Sequence, residues 1–168
     1  MSFKEIEIKK LNMNPFTLIG DEWLLVTAGT EGKFNTMTAS WGGLGVFWGK
    51  NSATNYVRPG RYTKQFIDSN DTFTLSFFKE DYKKSLGICG SVSGRDVNKV
   101  EKANLTPIFD EENTYFDEAK MVVVCKKMYH TDVKLENFDT PEYDATMYPD
   151  KDYHTIYISE ILKVLVKE

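Results

Sequence analysis

The chain has 168 residues, 41% hydrophobic and 14% aromatic, with a formal net charge of −4 at pH 7. A single domain of this length, residues 1–168, buries about 68–70% of its unfolded surface, which argues against disorder, and the acidic balance argues against generic nucleic-acid binding. No apolar run approaches the roughly 20 residues that cross a bilayer, and two cysteines, Cys89 and Cys125, make neither a disulfide framework nor a zinc knuckle.

The N-terminal MSFKEIEIKKL is charged and alternating, unlike a signal peptide, so reduced thiols and a cytoplasmic location are the expectation. Residues 24–29 (LLVTAG) read as a strand. Residues 35–43, NTMTASWGG, read as another, with Thr36, Thr38 and Ser40 alternating against Met37, Ala39 and Trp41. A row of hydroxyls without charge suits the wall of a pocket for a ligand rich in donors and acceptors, and also an ordinary half-buried strand. A strand at 52–57 is followed by a helix at 63–69 capped by Thr63. In the strand at 72–78, Thr72, Thr74 and Ser76 oppose Phe73, Leu75 and Phe77. A helix at 81–88 capped by Asp81 comes next, then one starting near Asp96, whose carboxylate can accept from the first turn's amides, and strands at 121–124 and 154–166. Residues 137–152 are acidic, contain Pro141 and Pro149, and read as an excursion. Short strands with few helices between them predict a mainly β fold, an antiparallel barrel with helical decoration rather than βαβ units.

Of the 21 basic residues only three are arginine: Arg58 and Arg61 in YVRPGRYT, and Arg95 in SVSGRD. Arginine grips phosphate and carboxylate with a planar fork, so its confinement to two glycine-containing turns suggests an anion site; pairing with surface carboxylates is the competing reading. The cluster WGGLGVFWGKN is neither a dinucleotide fingerprint, because Trp48 stands where glycine is needed, nor a Walker loop, because Leu44 and Asn51 stand at required positions. No G-x-S-x-G elbow is present, and His130 and His154 lie on strands without metal-ligand spacing. Cys89, in LGICGS, reads as a small buried hydrophobe rather than a nucleophile. Trp41, Phe47 and Trp48 fit a core as well as a cofactor box.

NTMTASWGG, then YVRPGRYT, then a TLSFF strand, then SGRDVNK, in that order, resembles the flavin reductase-like FMN-binding split-barrel family, nearest its flavoredoxin branch. The resemblance runs from about residue 20 to residue 130 and implies an antiparallel split β-barrel, homodimeric, with FMN in a groove near the subunit interface. It implies NADH or NADPH as reductant, hydride transfer from nicotinamide to flavin N5, and delivery of electrons to a flavin or small redox acceptor. Asn35, Thr36, Thr38 and Ser40 would meet the pyrimidine edge of the ring, and Trp41 would pack beside it. Arg58, Arg61, Tyr62 and Thr63 match the family's phosphate region, with Ser93, Gly94, Arg95 and Lys99 closing from the other side. His130 falls where the family implies proximity to the flavin, as the candidate catalytic residue donating to the ring or to a bound nicotinamide; a structural histidine is the competing reading. A non-enzymatic flavin-binding or redox-sensing module and a pyridoxamine-phosphate-oxidase-like amine oxidation are the alternatives.

Overall fold

The computed structural model describes residues 2–168. Its backbone is one antiparallel sheet built from β1 (Phe3–Ile6), β2 (Leu24–Thr30), β3 (Lys33–Ala39), β4 (Gly42–Phe47), β5 (Lys50–Val57), β6 (Thr72–Phe77), β9 (Met121–Asp132) and β10 (Thr155–Lys167). A separate hairpin, β7 (Pro107–Asp110) and β8 (Asn113–Phe116), accompanies it. The strand order is β3-β2-β6-β9-β10-β5-β4, with β1 also paired to β10. The helices are α1 (Thr63–Ser69), α2 (Lys83–Ser91), α3 (Lys99–Lys102) and α4 (Glu142–Met147).

The sheet has two buried faces, which explains why β2 and β6 contain almost no exposed residue. Val26, Met37, Val57, Phe73, Leu75, Phe77, Val123 and Tyr157 point into one core, together with Phe66 and Ile67 of α1 and Leu18 and Ile19 from a π-helical turn, Thr17–Asp21. On the opposite face Leu25, Val122 and Val124 pack under Leu86 and Cys89 of α2 and under Tyr115 and Phe116 of β8. The hydroxyl row of β6 therefore does not face water. Thr74 donates to the Thr114 carbonyl at 2.6 Å, and Thr114 in turn donates to the Gly29 carbonyl at 2.8 Å, so Thr74 ties the β7–β8 hairpin to the sheet, while the Thr72 and Ser76 hydroxyls are buried without a partner. Gly29 has φ +105°, and a Cβ there would stand 2.2 Å from the Lys33 carbonyl oxygen; this position near the end of β2 admits only glycine.

Several sequence expectations need correction. The strand read over 35–43 is two strands that break at Ser40 and Trp41, and the glycines beyond belong to β4, which returns through Trp48 (φ 50°) and Gly49 (φ 72°) into β5. Two consecutive positive φ values in a two-residue loop are the signature of a type I′ hairpin turn. Thr63 opens α1 but makes no side-chain cap. The 81–88 helix is a 3₁₀ turn, Glu80–Tyr82, leading into α2, and Asp81 makes no side-chain cap. α3 is capped by Asn98, whose side-chain oxygen accepts from the Glu101 amide at 3.3 Å, not by Asp96. The acidic excursion carries α4, β9 runs on to Asp132, and β10 keeps its read length one position later. No helix among the described residues is long and apolar enough to cross a membrane.

Candidate functional site

The two ends of the sheet, β3 and β4, are consecutive in the chain and are joined only by Ser40 and Trp41. These two residues span the split between the sheet edges. A groove of about 200 Å³ opens along the seam, lined by 37–41 together with Tyr56, Arg58, Arg61 and His154. A second cavity of about 360 Å³ shares Ser40, Trp41 and Tyr56 with it and continues over Gly42, Gly43 and Phe16. Trp41, half exposed, is thus a common wall, its ring 5.5 Å from that of His154.

Strand pleating separates the residues read together on β3. Thr36 is fully buried and its hydroxyl is shared with Thr27 at 2.8 Å and with the Val26 carbonyl, so it does not reach the groove. Thr38 lines the groove, but its hydroxyl donates to the Leu86 carbonyl of α2. Asn35, on the other face, donates to the Thr63 hydroxyl at 2.8 Å and lies against Gly94, where a Cβ would stand 2.2 Å from the Asn35 side-chain oxygen. Asn35 and Gly94 also line a cavity of about 420 Å³ with residues 95–100.

The three arginines part company. Arg58 donates to the Asp152 carboxylate at 2.7 Å and to the Met147 carbonyl at 2.9 Å, which is the ion-pair reading. Arg61 and Arg95 take the other course, together with Lys99. Arg61 Nη1 donates to the Gly90 carbonyl at 3.2 Å, while its Nη2 is buried with no partner. Lys99, 4% exposed, donates to the carbonyls of Cys89 and Val92. Arg95 stacks over the Tyr62 ring at 4.6 Å and donates to the Gly60 carbonyl. Ser93 accepts from the Arg95 amide. Among the described residues none of these three cations has a carboxylate partner. The carbonyls ending α2 hold two of them, as the negative end of a helix does. Burial, reinforced by the Arg61 charge, drives Lys99 down to about 8, and burial lowers Arg61 as well. Two like charges drawn together in a half-dry site, with one donor unpartnered, are an arrangement that a bound anion would relieve.

The histidines exchange places relative to the sequence reading. His130 is exposed on β9 beside Tyr157 (ring centroids 6.0 Å apart) and is not among the residues lining the groove. His154, read only as a strand residue, lines it. Its signal in the sequence was its place directly after the acidic excursion, which folds back so that Tyr148 bonds the imidazole. Cys89 is buried, its thiol pushed up to about 11 by burial, so it is a core residue and not a nucleophile at neutral pH.

The split antiparallel sheet finds its family in sequence comparison. The profile of the family described as "Flavin reductase like domain" matches residues 19–168, and the chain belongs to that family. Similar folds occur in an FMN-binding domain of a flavin reductases-like enzyme from Shewanella baltica OS155, at 17% identity and TM-score 0.70 over 98% of this chain and 77% of that one. The flavoredoxin of Desulfovibrio vulgaris (Miyazaki F) is 24% identical, TM-score 0.66, over 87% of this chain and 69% of that one. The NADH:FAD oxidoreductase SgcE6 of Streptomyces globisporus C-1027 is 14% identical, TM-score 0.64, over 87% and 76%. No curated protein matches the chain in sequence.

Proposed function

We propose that this protein binds FMN, with the phosphate among Arg61, Lys99, Arg95, Thr63 and the Ser93–Gly94 turn and the ring in the groove at Ser40 and Trp41. The observation that carries this reading is the buried, unpartnered Arg61 Nη2 in the groove shared with Trp41, under the charge of a Lys99 that has no carboxylate partner among the described residues. The donor set fits a phosphate: two forked guanidinium groups, an ammonium and a hydroxyl. Bound there, the flavin would take a hydride from NADH or NADPH and pass electrons to an acceptor. The chain's own residues bind and orient. Ser40 and neighbouring backbone groups face the groove without a pairing strand, Trp41 offers an apolar ring face, and α2 excludes water from the Thr38 side.

On this reading the protein is an oxidoreductase of the flavin reductase type, akin in its chemistry to the NADH:FAD oxidoreductase SgcE6. The test is anaerobic. Protein reconstituted with FMN is expected to lose its visible flavin absorbance within minutes of adding NADH or NADPH, and to regain it with an acceptor. Reduction by dithionite but by neither nucleotide would leave a flavin-binding carrier or sensor in its place.

The same reading includes a homodimer, the commonest closed assembly. Val46 and Trp48 are 72% and 64% exposed at the tip of the β4–β5 hairpin, with Phe47 packed on Trp48 and Tyr129 beside it. This apolar tip supports burial against a second copy. Sedimentation at micromolar concentration is expected to give twice the chain mass, and a single-chain mass would remove the assembly from the proposal.

A further inference from the structure

The connection between β9 and β10 is a strap held by one residue of the barrel. Arg58, just past β5, donates to the Asp152 carboxylate at 2.7 Å and the Met147 carbonyl at 2.9 Å, and its guanidinium lies 5.0 Å from the centre of the Tyr148 ring. These contacts fix the strap on both sides of Tyr148. Phe138 and Tyr153 pack on the same ring, at 6.1 and 5.0 Å between centroids. Tyr148, only 8% exposed, therefore has little freedom, and its hydroxyl sits 2.7 Å from His154 Nδ1. The imidazole it meets is 5.5 Å from Trp41 and lines the groove.

We propose that Tyr148 is a positioning residue, holding His154 in the tautomer whose Nε2–H donates into the groove, toward a carbonyl oxygen of a ligand lying against Trp41. The direction of the shared proton follows from acidity. A phenol O–H is a stronger acid than a neutral imidazole N–H, and an imidazole nitrogen is a better acceptor than a phenol oxygen. The proton therefore lies on Tyr148, pointing at Nδ1, and the ring's own proton is left on Nε2. The ring is neutral at pH 7: burial, with the Arg58 charge, lowers His154 to about 4, and Asp152 opposes this only in part. The groups facing the imidazole are Arg58 from the end of β5, Tyr56 within β5, and Tyr148 and Asp152 from the strap. The identity of the ligand, a nicotinamide amide or a flavin carbonyl, rests on the functional reading above; the tautomer does not.

The chain contains two histidines, so imidazole nitrogen-15 spectra of the full-length protein resolve each ring. The expected parent spectrum shows one histidine, absent from His154→Gln, as a single Nε2–H tautomer. Tyr148→Phe is expected to convert it to a mixture, and Asp152→Asn, which weakens the strap's tie to Arg58 and keeps the Tyr148 hydroxyl, to do so in smaller measure. In the reconstituted protein Tyr148→Phe is expected to raise the KM for the reducing nucleotide about 3- to 10-fold, the scale of one hydrogen bond, with little change in kcat. His154→Gln/Tyr148→Phe should be no worse than His154→Gln alone. A parent His154 protonated on Nδ1, or a Tyr148→Phe spectrum identical to the parent's, would overturn the assignment, as would an unchanged KM in an active enzyme. Failure of both nucleotides to reduce the parent's flavin would instead overturn the functional reading, because the spectra decide the tautomer without flavin.

Discussion

Arg61→Ala is expected to weaken FMN binding by about 10- to 150-fold while leaving riboflavin, which has the same ring and no phosphate, nearly unaffected. The range is the loss of one charge-assisted hydrogen bond, and Arg61 is chosen because its Nη2 is buried without a partner. Arg58→Ala should cost less, because Arg58 is already engaged by Asp152 and Met147 and would act through the strap. Lysine at position 61 keeps the charge and loses the fork, so it recovers only part of the affinity. The neighbouring Lys99 adds a pH signature. Its pKa is about 8 in the free protein, and an anion raises it, so above pH 8 binding must take up a proton. Affinity then falls as pH rises through that value, by at most about tenfold per unit, and Lys99 contributes no dependence below it. Titrations of reconstituted apoprotein at one salt concentration would check both. Equal FMN binding by parent and Arg61→Ala, or equal loss of riboflavin, would dismantle the anion site.

Gly94→Ala is the second change with a large expected effect. A Cβ there would meet the Asn35 side-chain oxygen at 2.2 Å and its Cγ at 2.9 Å. Asn35 is itself buried and bonded to Thr63, so it cannot yield freely. The turn must move instead, carrying Arg95 with it. Overpacking of this kind costs about 1–3 kcal/mol, and a displaced cation should weaken FMN by about tenfold or more. Gly60→Ala, in the other cationic turn, meets nothing within 4 Å and serves as the control. Thermal unfolding and FMN titration of the pair would decide it: indistinguishable variants would mean that the Asn35–Gly94 contact does not constrain the turn.

The class of fold was legible because its signals are local. Alternation along 72–78 and the β-rich runs at 24–29 and 52–57 become β6, β2 and β5 with small shifts at their ends. The β7–β8 hairpin was not read, because its four-residue strands lack a long alternation. The family resemblance was legible from four motifs in order, and the matching family profile covers them. Inside the site, the arginines divided by a property composition does not hold. Arg58 meets Asp152 across 94 positions of sequence, a pairing that only the folded strap creates. Thr36 and Thr38 looked equivalent to Ser40, yet a hydroxyl on a pleated strand serves whatever lies on its side, here Thr27 and the carbonyl of Leu86. His154 was passed over for the same reason: Tyr148, six residues away, turns toward it only because the intervening chain doubles back.

The place of β10 in the sheet bears on how the chain comes to be folded during synthesis. β10 is last in element order, yet it pairs with β9, β5 and β1 and is the strand through which β5 and β4 join the rest. Until it emerges, the ribosome-bound chain can assemble β2, β3, β6 and β9 as one sheet and β4 with β5 as a detached ribbon. At roughly 5–20 residues per second, the 98 positions from Val57 to its partner Thr155 keep that ribbon waiting for about 5–20 s. During that interval the interior face of Ala53 and Val57 is open to water and to other nascent chains. The closing step is a single long-range zipper that waits for β10, and the cell's chaperones have that window in which to act.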